Sequence, residues 1–446
     1  MKKKKLKVIG IILGCVAVLL VGICIYSYYN YPISVYGPKA HKYAGNVQLD
    51  KEMTVSEVKA DAEKMIDIME STHPIFLEKQ PEKYKEAKGS FLKETKKNMT
   101  VGEFQLSVSR YLVSIQDGHT RLFWKEEQYL DVNWRYLKGN LFLVNDNNKP
   151  LDKIVTKING VEVGKVFSTI KDIFPAENYA AENVNNAKYS KGKMILTCSG
   201  VDCSKDMYLT LKGESGEESV KVQFSRGDSF QDVDNEISCR KIGDKTIYVK
   251  LGMCEVNRNL NFVCEDLKEA VNSGVKNVII DVRDNPGGNS EACSMLMDSI
   301  KMKPGHYGTV IRFSPLAQER HGFLRKDGYV TFQRSNNPTK NNDIKLYVLT
   351  NEKTFSSAQM LAVWVKDGKL GTIVGQPSSN MPSSFGDILD FQLDNSKLQG
   401  IISFKKWVRP DKSKDSERVL QPDILVDYSE DALKKVLEIV SVLEKR

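Results

Sequence analysis

The 446-residue chain has 8 Cys and 5 His but no CxxC pair and no Cys/His cluster with zinc-ligand spacing, so nothing in it calls for a bound metal or other cofactor. No serine stands in a G-x-S-x-G elbow, which disfavours the lipase and esterase class. There is no internal repeat or low-complexity segment. Nor is there a basic stripe: of the net charge of +8, Lys2, Lys3, Lys4, Lys5 and Lys7 supply five, leaving 8 − 5 = +3 for everything else. A nucleic-acid footprint is therefore excluded. With 41% hydrophobic and 27% charged residues the composition is that of an ordinary globular chain, long enough for two or three domains.

One long uncharged run is present. Val8 to Tyr26, VIGIILGCVAVLLVGICIY, is long enough to cross a bilayer as a helix, and the lysines before it place its amino end in the cytoplasm. Leu13-Gly14-Cys15 is a poor lipoprotein cleavage site because the residues beyond Cys15 stay apolar, and no small-x-small site follows Ile25. The sequence thus predicts a cytoplasmic tail (1–7), a single-pass anchor (8–26), a linker (27–50) and an extracytoplasmic remainder. Cys198 and Cys203 are the nearest potential disulfide pair, whereas Cys254, Cys264 and Cys293 read as small buried hydrophobes.

Beyond the linker the chain is multidomain α/β. A helical module is predicted over 51–125, opened by a capping box at Thr54 and Glu57 with Val58, Ala62, Met65 and Met69 on one face. Residues 126–235 are β-rich. In that region KMILTC reads as a strand, and KIVTKINGVEVGKVFSTIKDIF gives the strand, Asn159-Gly160 turn, strand and helix order of a PDZ-like module. From 236 to 446 strands alternate with helices, as in α/β domains.

Three segments carry chemistry. In LYVLTNEKTFSSAQMLAVWV a buried strand, a polar loop and an apolar-periodic helix meet at Ser356, where unsatisfied backbone N–H groups would face the same space as the hydroxyl. Serine is also a common helix N-cap, so this segment alone decides nothing. DVRDNPGGN places a glycine loop at the end of an apolar strand, open to close approach and offering N–H donors. SIQDGHTRL presents His119 in a turn, while His41, His73, His306 and His321 lie in linker, turn-like or charged surroundings.

Taken together, DGHT, the ING-containing segment, DVRDNPGG, TFSSAQ and a terminal QPDI resemble the S41 family of serine peptidases, over roughly Val55 to Val426. The resemblance implies a ClpP/crotonase-like catalytic core acting without a cofactor on a peptide or protein substrate. It makes Ser356 the nucleophile, with the amides of Ser357 and Gly287 as oxyanion donors and Gly288 adjacent. Met381 stands where the tail-specific branch has its catalytic lysine, and a thioether accepts no proton. The tricorn-like branch uses the DGHT histidine instead, which implies His119 as base and Asp415 or Glu417, with Asp411 behind them, as the orienting carboxylate. Gln359 replaces the glutamate usual in the family. The competing expectation is a peptide-binding scaffold on the same fold, which the presence of both Ser356 and His119 disfavours.

Overall fold

The computed structural model describes residues 2–78, 80–145, 150–226 and 235–444. Helix α1 (Lys2–Asn30) contains the apolar run, and Ile11–Asn30 is long and apolar enough to cross a membrane, with none of it buried against the rest of the protein. The segment after it is strapped along the body. Val35 N–H donates to Gly322 O at 2.8 Å, Leu324 N–H to Ile33 O at 3.0 Å, Lys39 N–H to Arg320 O at 2.8 Å and His41 N–H to Asp390 Oδ2 at 2.9 Å.

Helix α2 (Val55–Thr72) opens with the expected Thr54/Glu57 capping box and buries Val58, Ala62, Met65 and Met69. It is followed by α3 (Glu82–Glu94) and α4 (Val101–Val113). These helices share one core with an antiparallel sheet from far down the chain, Tyr329–Phe332, Gly308–Arg312, Gln399–Val408 and Ser384–Gln392, so that Phe104 and Tyr111 lie in the same apolar cluster as Phe391 and Phe404. Residues 51–125 are thus fused to part of the 236–446 region. Helical periodicity shows which face of a helix is apolar but not which distant strand covers it.

The β-rich module has a sheet ordered Gly216–Val222, Met207–Gly213, Pro150–Ile158, Asn140–Val144 and Trp134–Leu137. Asn159 and Gly160, at φ of 45° and 80°, make the tight turn that the sequence predicts. Helices α5 (Val163–Ile173) and α6 (Tyr179–Tyr189) pack beside the sheet. KMILTC is a short helix, α7 (Lys193–Cys198), rather than a strand. Its adjacent Ile195 and Leu196 are both buried, which a strand presenting them to opposite faces of a one-sided sheet would not allow, and Glu126 Oε2 accepts the Met194 N–H at 3.0 Å in its first turn.

The second large sheet runs Ile237–Ile242, Thr246–Leu251, Asn277–Asp281, Lys345–Thr350, Gly371–Gly375 and Ile424–Leu425, antiparallel at the first pair and parallel thereafter. Asn277–Asp281 is buried at every position because both faces are covered. Helices α8 (Arg258–Asn272) and α9 (Ser290–Ser299) pack on Val278 and Ile280. Helix α10 (Pro315–His321) lies on the other body, whereas α11 (Ser357–Asp367) completes the first face, and α12 (Ala432–Glu444) covers Ile279, Tyr347 and Leu349 on the opposite one. The loops after Asn277–Asp281 and Lys345–Thr350 emerge side by side at the carboxyl ends of parallel neighbours, the usual place for a site in such a sheet.

One buried ion pair anchors the end of α11. Arg409 is fully buried; its Nε donates to Asp367 Oδ2 at 3.1 Å and its Nη1 to Glu417 Oε2 at 2.7 Å. Arg409→Leu leaves the buried Asp367 carboxylate with only Lys414 Nζ at 3.6 Å and the Asp411 N–H at 3.0 Å, so a loss of about 3 kcal/mol of stability is expected in urea unfolding. A loss below about 1 kcal/mol would show that Asp367 is not dependent on the guanidinium.

Candidate active site

Ser356 stands at the head of α11 but does not cap it. Its backbone lies at φ 52°, ψ −125°, and its side chain makes no cap hydrogen bond. A non-glycine residue in that region carries about 1–3 kcal/mol of strain, which persists only when neighbours enforce it. They do so here. Phe355 N–H donates to Asn285 O at 3.0 Å, Thr354 Oγ1 donates to Val282 O at 2.8 Å, and Ser356 N–H donates to Asn380 Oδ1 at 3.0 Å. Gln359 braces the Asn380 loop, its Nε2 donating to Asn380 O at 2.6 Å and its Oε1 accepting from Ser378 Oγ.

The glycine loop passes directly beneath this turn. A Cβ on Gly287 would stand 2.5 Å from Ser356 Cβ, and one on Gly288 would stand 2.2 Å from Cys254 O, so the approach requires glycine at both. The donor expected from Gly287 is otherwise engaged: its N–H is turned onto Asn285 Oδ1 at 2.8 Å. The Gly288 and Ser357 amides have no acceptor among the described residues. An asparagine two residues before a glycine folds readily onto the intervening turn, and this local bond competes with any ligand for the amide.

His119 is 7% exposed, and its ring lies 4.6 Å from that of Phe355, the residue before the serine. Neither ring nitrogen has a hydrogen-bond partner among the described residues. The chain thus brings His119 beside the Ser356 turn without a Ser356–His119 hydrogen bond. The carboxylates expected to orient the ring lie elsewhere: Asp415 is held by Arg334 at 2.8 Å, Glu417 by Arg409, and Asp411 accepts from Ser413 Oγ at 2.7 Å. Each is closer to a local cation or hydroxyl than to the imidazole, a competition that spacing along the chain does not reveal.

Asp117, within DGHT itself, is the carboxylate that approaches the ring, with Oδ1 3.8 Å from His119 Nδ1. It is completely buried. The His119 amide donates to Oδ1 at 2.9 Å, while Thr120 Oγ1 at 2.6 Å, Ser403 Oγ at 2.7 Å and His73 Nε2 at 3.1 Å bond Oδ2. His73 Nδ1 accepts the Ile75 N–H at 3.2 Å, so Nε2 is the nitrogen that carries the proton toward Asp117. Burial by itself would raise the Asp117 pKa, but His73 and the surrounding donors outweigh it and hold the carboxyl well below its usual range. The His119 pKa is lowered, chiefly by burial and against the pull of Asp117, so the ring is poised as a neutral base.

Glu177, between α5 and α6, reaches this cluster from the β-rich module. Its Oε1 accepts the Gly118 N–H at 3.1 Å, and its Oε2 accepts Asn380 Nδ2 at 2.7 Å and Met381 N–H at 2.8 Å. Glu177 thus bonds the loop that holds Ser356 and the turn that holds His119. Asp117, His119 and Glu177 each offer an atom within 4.8 Å of the others, and every carboxylate oxygen among them accepts an N–H or O–H donor. Burial, reinforced by the Asp117 charge, raises the Glu177 pKa to about 8. A carboxyl raised on folding keeps a proton that the unfolded chain has lost. Stability should therefore decline as pH rises from about 4 toward 8 and level off beyond. Glu177→Gln, neutral throughout, should flatten that slope in urea unfolding; an unchanged slope would remove Glu177 as its source.

Residues 245–426 match the model of Peptidase family S41. They belong to this family. The S41 region carries Ser356, Gly287, Gly288 and Asn380, whereas His119, Asp117 and Glu177 come from outside it. Over 228 residues the chain is 23% identical to a "Probable CtpA-like serine protease" of Staphylococcus aureus, covering 49% of this chain and 42% of the relative. The corresponding protein of Staphylococcus haemolyticus is 23% identical over 227 residues, covering 48% and 41%. The match thus spans about two fifths of the length of these relatives. Mature CPAF complexed with lactacystin superposes with a TM-score of 0.60 at 12% identity, covering 86% of this chain and 99% of that one, and mature CPAF gives 0.58 over 83% and 93%. At such identity the likeness is one of fold.

Proposed function

We propose that this S41-family chain is a membrane-anchored serine peptidase whose catalytic region lies outside the cytoplasm. Ser356 is the nucleophile and His119 its base. The observation that carries the reading is the strained, uncapped Ser356, packed against the glycine loop so closely that a Cβ on Gly287 would stand 2.5 Å from its own. A helix N-cap serine would have extended backbone and would bond the first turn; this one does neither.

In the reaction the His119 ring turns from its tilted contact with Phe355 toward Ser356 and takes the hydroxyl proton as the oxygen attacks a peptide carbonyl. Asp117 holds the other ring nitrogen and stabilises the imidazolium, taking the part expected of Asp415 or Glu417. The Gly288 and Ser357 amides receive the developing oxyanion, each such donor typically contributing about 3 kcal/mol. The ring then protonates the leaving amine, and water repeats the sequence on the acyl-enzyme. The β-rich module, PDZ-like in element order, would present the peptide by strand addition. Deleting residues 126–235 is a poor test of that role, because it also removes Glu177.

The decisive experiment is labelling of the full-length protein with a fluorophosphonate, which acylates activated serines. Wild type should be labelled, Ser356→Ala unlabelled and His119→Ala strongly slowed. Undiminished labelling of folded Ser356→Ala would overturn the assignment, and an unlabelled wild type that still binds peptide would favour the scaffold.

A further inference from the structure

The carboxyl end of α1 is fixed to the catalytic body at one particular place. The turn between α10 and the strand Tyr329–Phe332 carries Arg325, whose guanidinium lies 5.8 Å from the Tyr28 ring and 5.7 Å from the Tyr29 ring, and whose Nη1 donates to Tyr29 O at 3.2 Å. Beside it the Tyr31 and Phe332 rings are 6.4 Å apart, and Ser34 pairs with Phe323 in an antiparallel bridge. These contacts join a folded turn to the last residues of the apolar stretch Ile11–Asn30.

The position of Tyr28 and Tyr29 along that stretch gives the depth of everything they touch. At the end of a membrane-spanning helix, tyrosines lie among the lipid headgroups, with their rings toward the hydrocarbon and their hydroxyls toward water. A side chain within a few ångströms of both rings is at the same level. The turn is suited to that level: Leu324 is 47% exposed beside a buried Phe323, Tyr329 is 54% exposed, and Arg325 and exposed Lys326 supply positive charge against the single exposed acid Asp327. An exposed apolar side chain followed by two cations is the pattern of a segment that dips into an interface while its charges meet anionic headgroups.

We propose that the 322–328 turn is a second membrane contact, with Leu324 entering the interfacial zone and Arg325 and Lys326 facing anionic phospholipid. The body then lies against the bilayer instead of swinging from a tether, and the strap of residues 33–41 keeps it there. The proposal rests on α1 being a retained anchor.

Both ideas are tested on the full chain reconstituted in vesicles of phosphatidylcholine and phosphatidylglycerol, with or without phosphatidylcholine brominated near the top of its acyl chains. Leu324→Trp adds a fluorophore at the turn, and Tyr208→Trp adds one on the far β-rich module; wild-type emission is subtracted from each. Most of the added Leu324→Trp emission should be lost to the brominated lipid and none of the Tyr208→Trp emission. Arg325→Glu with Lys326→Glu should restore the former, as should omitting phosphatidylglycerol at low salt. Unquenched Leu324→Trp in a chain that resists alkaline carbonate extraction would overturn the membrane contact and leave the anchor standing. Release of the chain by carbonate would overturn the anchor itself.

Discussion

Ser356→Ala is expected to lower kcat/KM for peptide hydrolysis by about 10⁶-fold, leaving the modest acceleration that an oxyanion site and substrate binding provide without a nucleophile. Alanine keeps the Cβ that is strained at φ 52°, so unfolding should show little change. Ser356→Gly removes the same hydroxyl and also the strain, and should be more stable than Ser356→Ala by about 1 kcal/mol or more in urea unfolding. The pair separates chemistry from backbone cost: equal loss of activity with unequal stability is the signature of a residue kept in an unfavourable conformation for its function. Equal stabilities would mean that the turn is relaxed. Wild-type activity in either variant would place the nucleophile elsewhere.

Asp117→Asn should lower kcat/KM by about 10⁴-fold, because an amide in that position offers the wrong hydrogen-bonding partner to the imidazole and supports no imidazolium. The effect belongs to Asp117 alone. Asp415→Asn and Glu417→Gln disturb ion pairs with Arg334 and Arg409, and activity in both should stay within about threefold of wild type, since each carboxylate is partly exposed. Asp117→Asn also meets His73, Thr120 and Ser403 as donors, so a stability loss of about 1–3 kcal/mol accompanies it. His73→Gln provides the control for that loss: it removes a donor to Asp117 Oδ2 while keeping the carboxylate, and it should cost far less activity than Asp117→Asn at comparable stability. If instead Glu417→Gln lost activity and Asp117→Asn did not, the carboxylate would have to reach His119 by a rearrangement of the segment after Arg409.

The parts of this protein legible in its sequence were those encoded locally. The Thr54/Glu57 capping box, the Asn159-Gly160 turn, the alternation of strand and helix after residue 236 and the strand-loop-helix around Ser356 each depend on neighbours a few residues apart. What was not legible depends on packing across the chain. Asp117 was in plain view two residues before His119, but only the buried donors from His73 and Ser403 mark it as an organised carboxylate. Glu177 sits in FPAENY with no motif about it, and its importance comes from meeting Gly118, Asn380 and Met381. His73 looked incidental before Pro74 until its ring was seen buried against Asp117. Asp415 and Glu417 were suggested by order along the chain, which does not reveal that each pairs with an arginine, Arg334 and Arg409. The KMILTC segment failed as a strand because β-branched and apolar content alone does not distinguish a short buried helix.

The contact made by Glu177 and Asn178 ties the middle module to the support of Ser356. Asn178 Nδ2 donates to Ser378 O at 3.1 Å beside the Glu177 bonds to Asn380 and Met381, so the loop that holds the Ser356 backbone is propped by a separate part of the chain. Loss of that docking would leave the Asn380 loop, and the Ser356 backbone that bonds it, without the hydrogen bonds of Glu177 and Asn178.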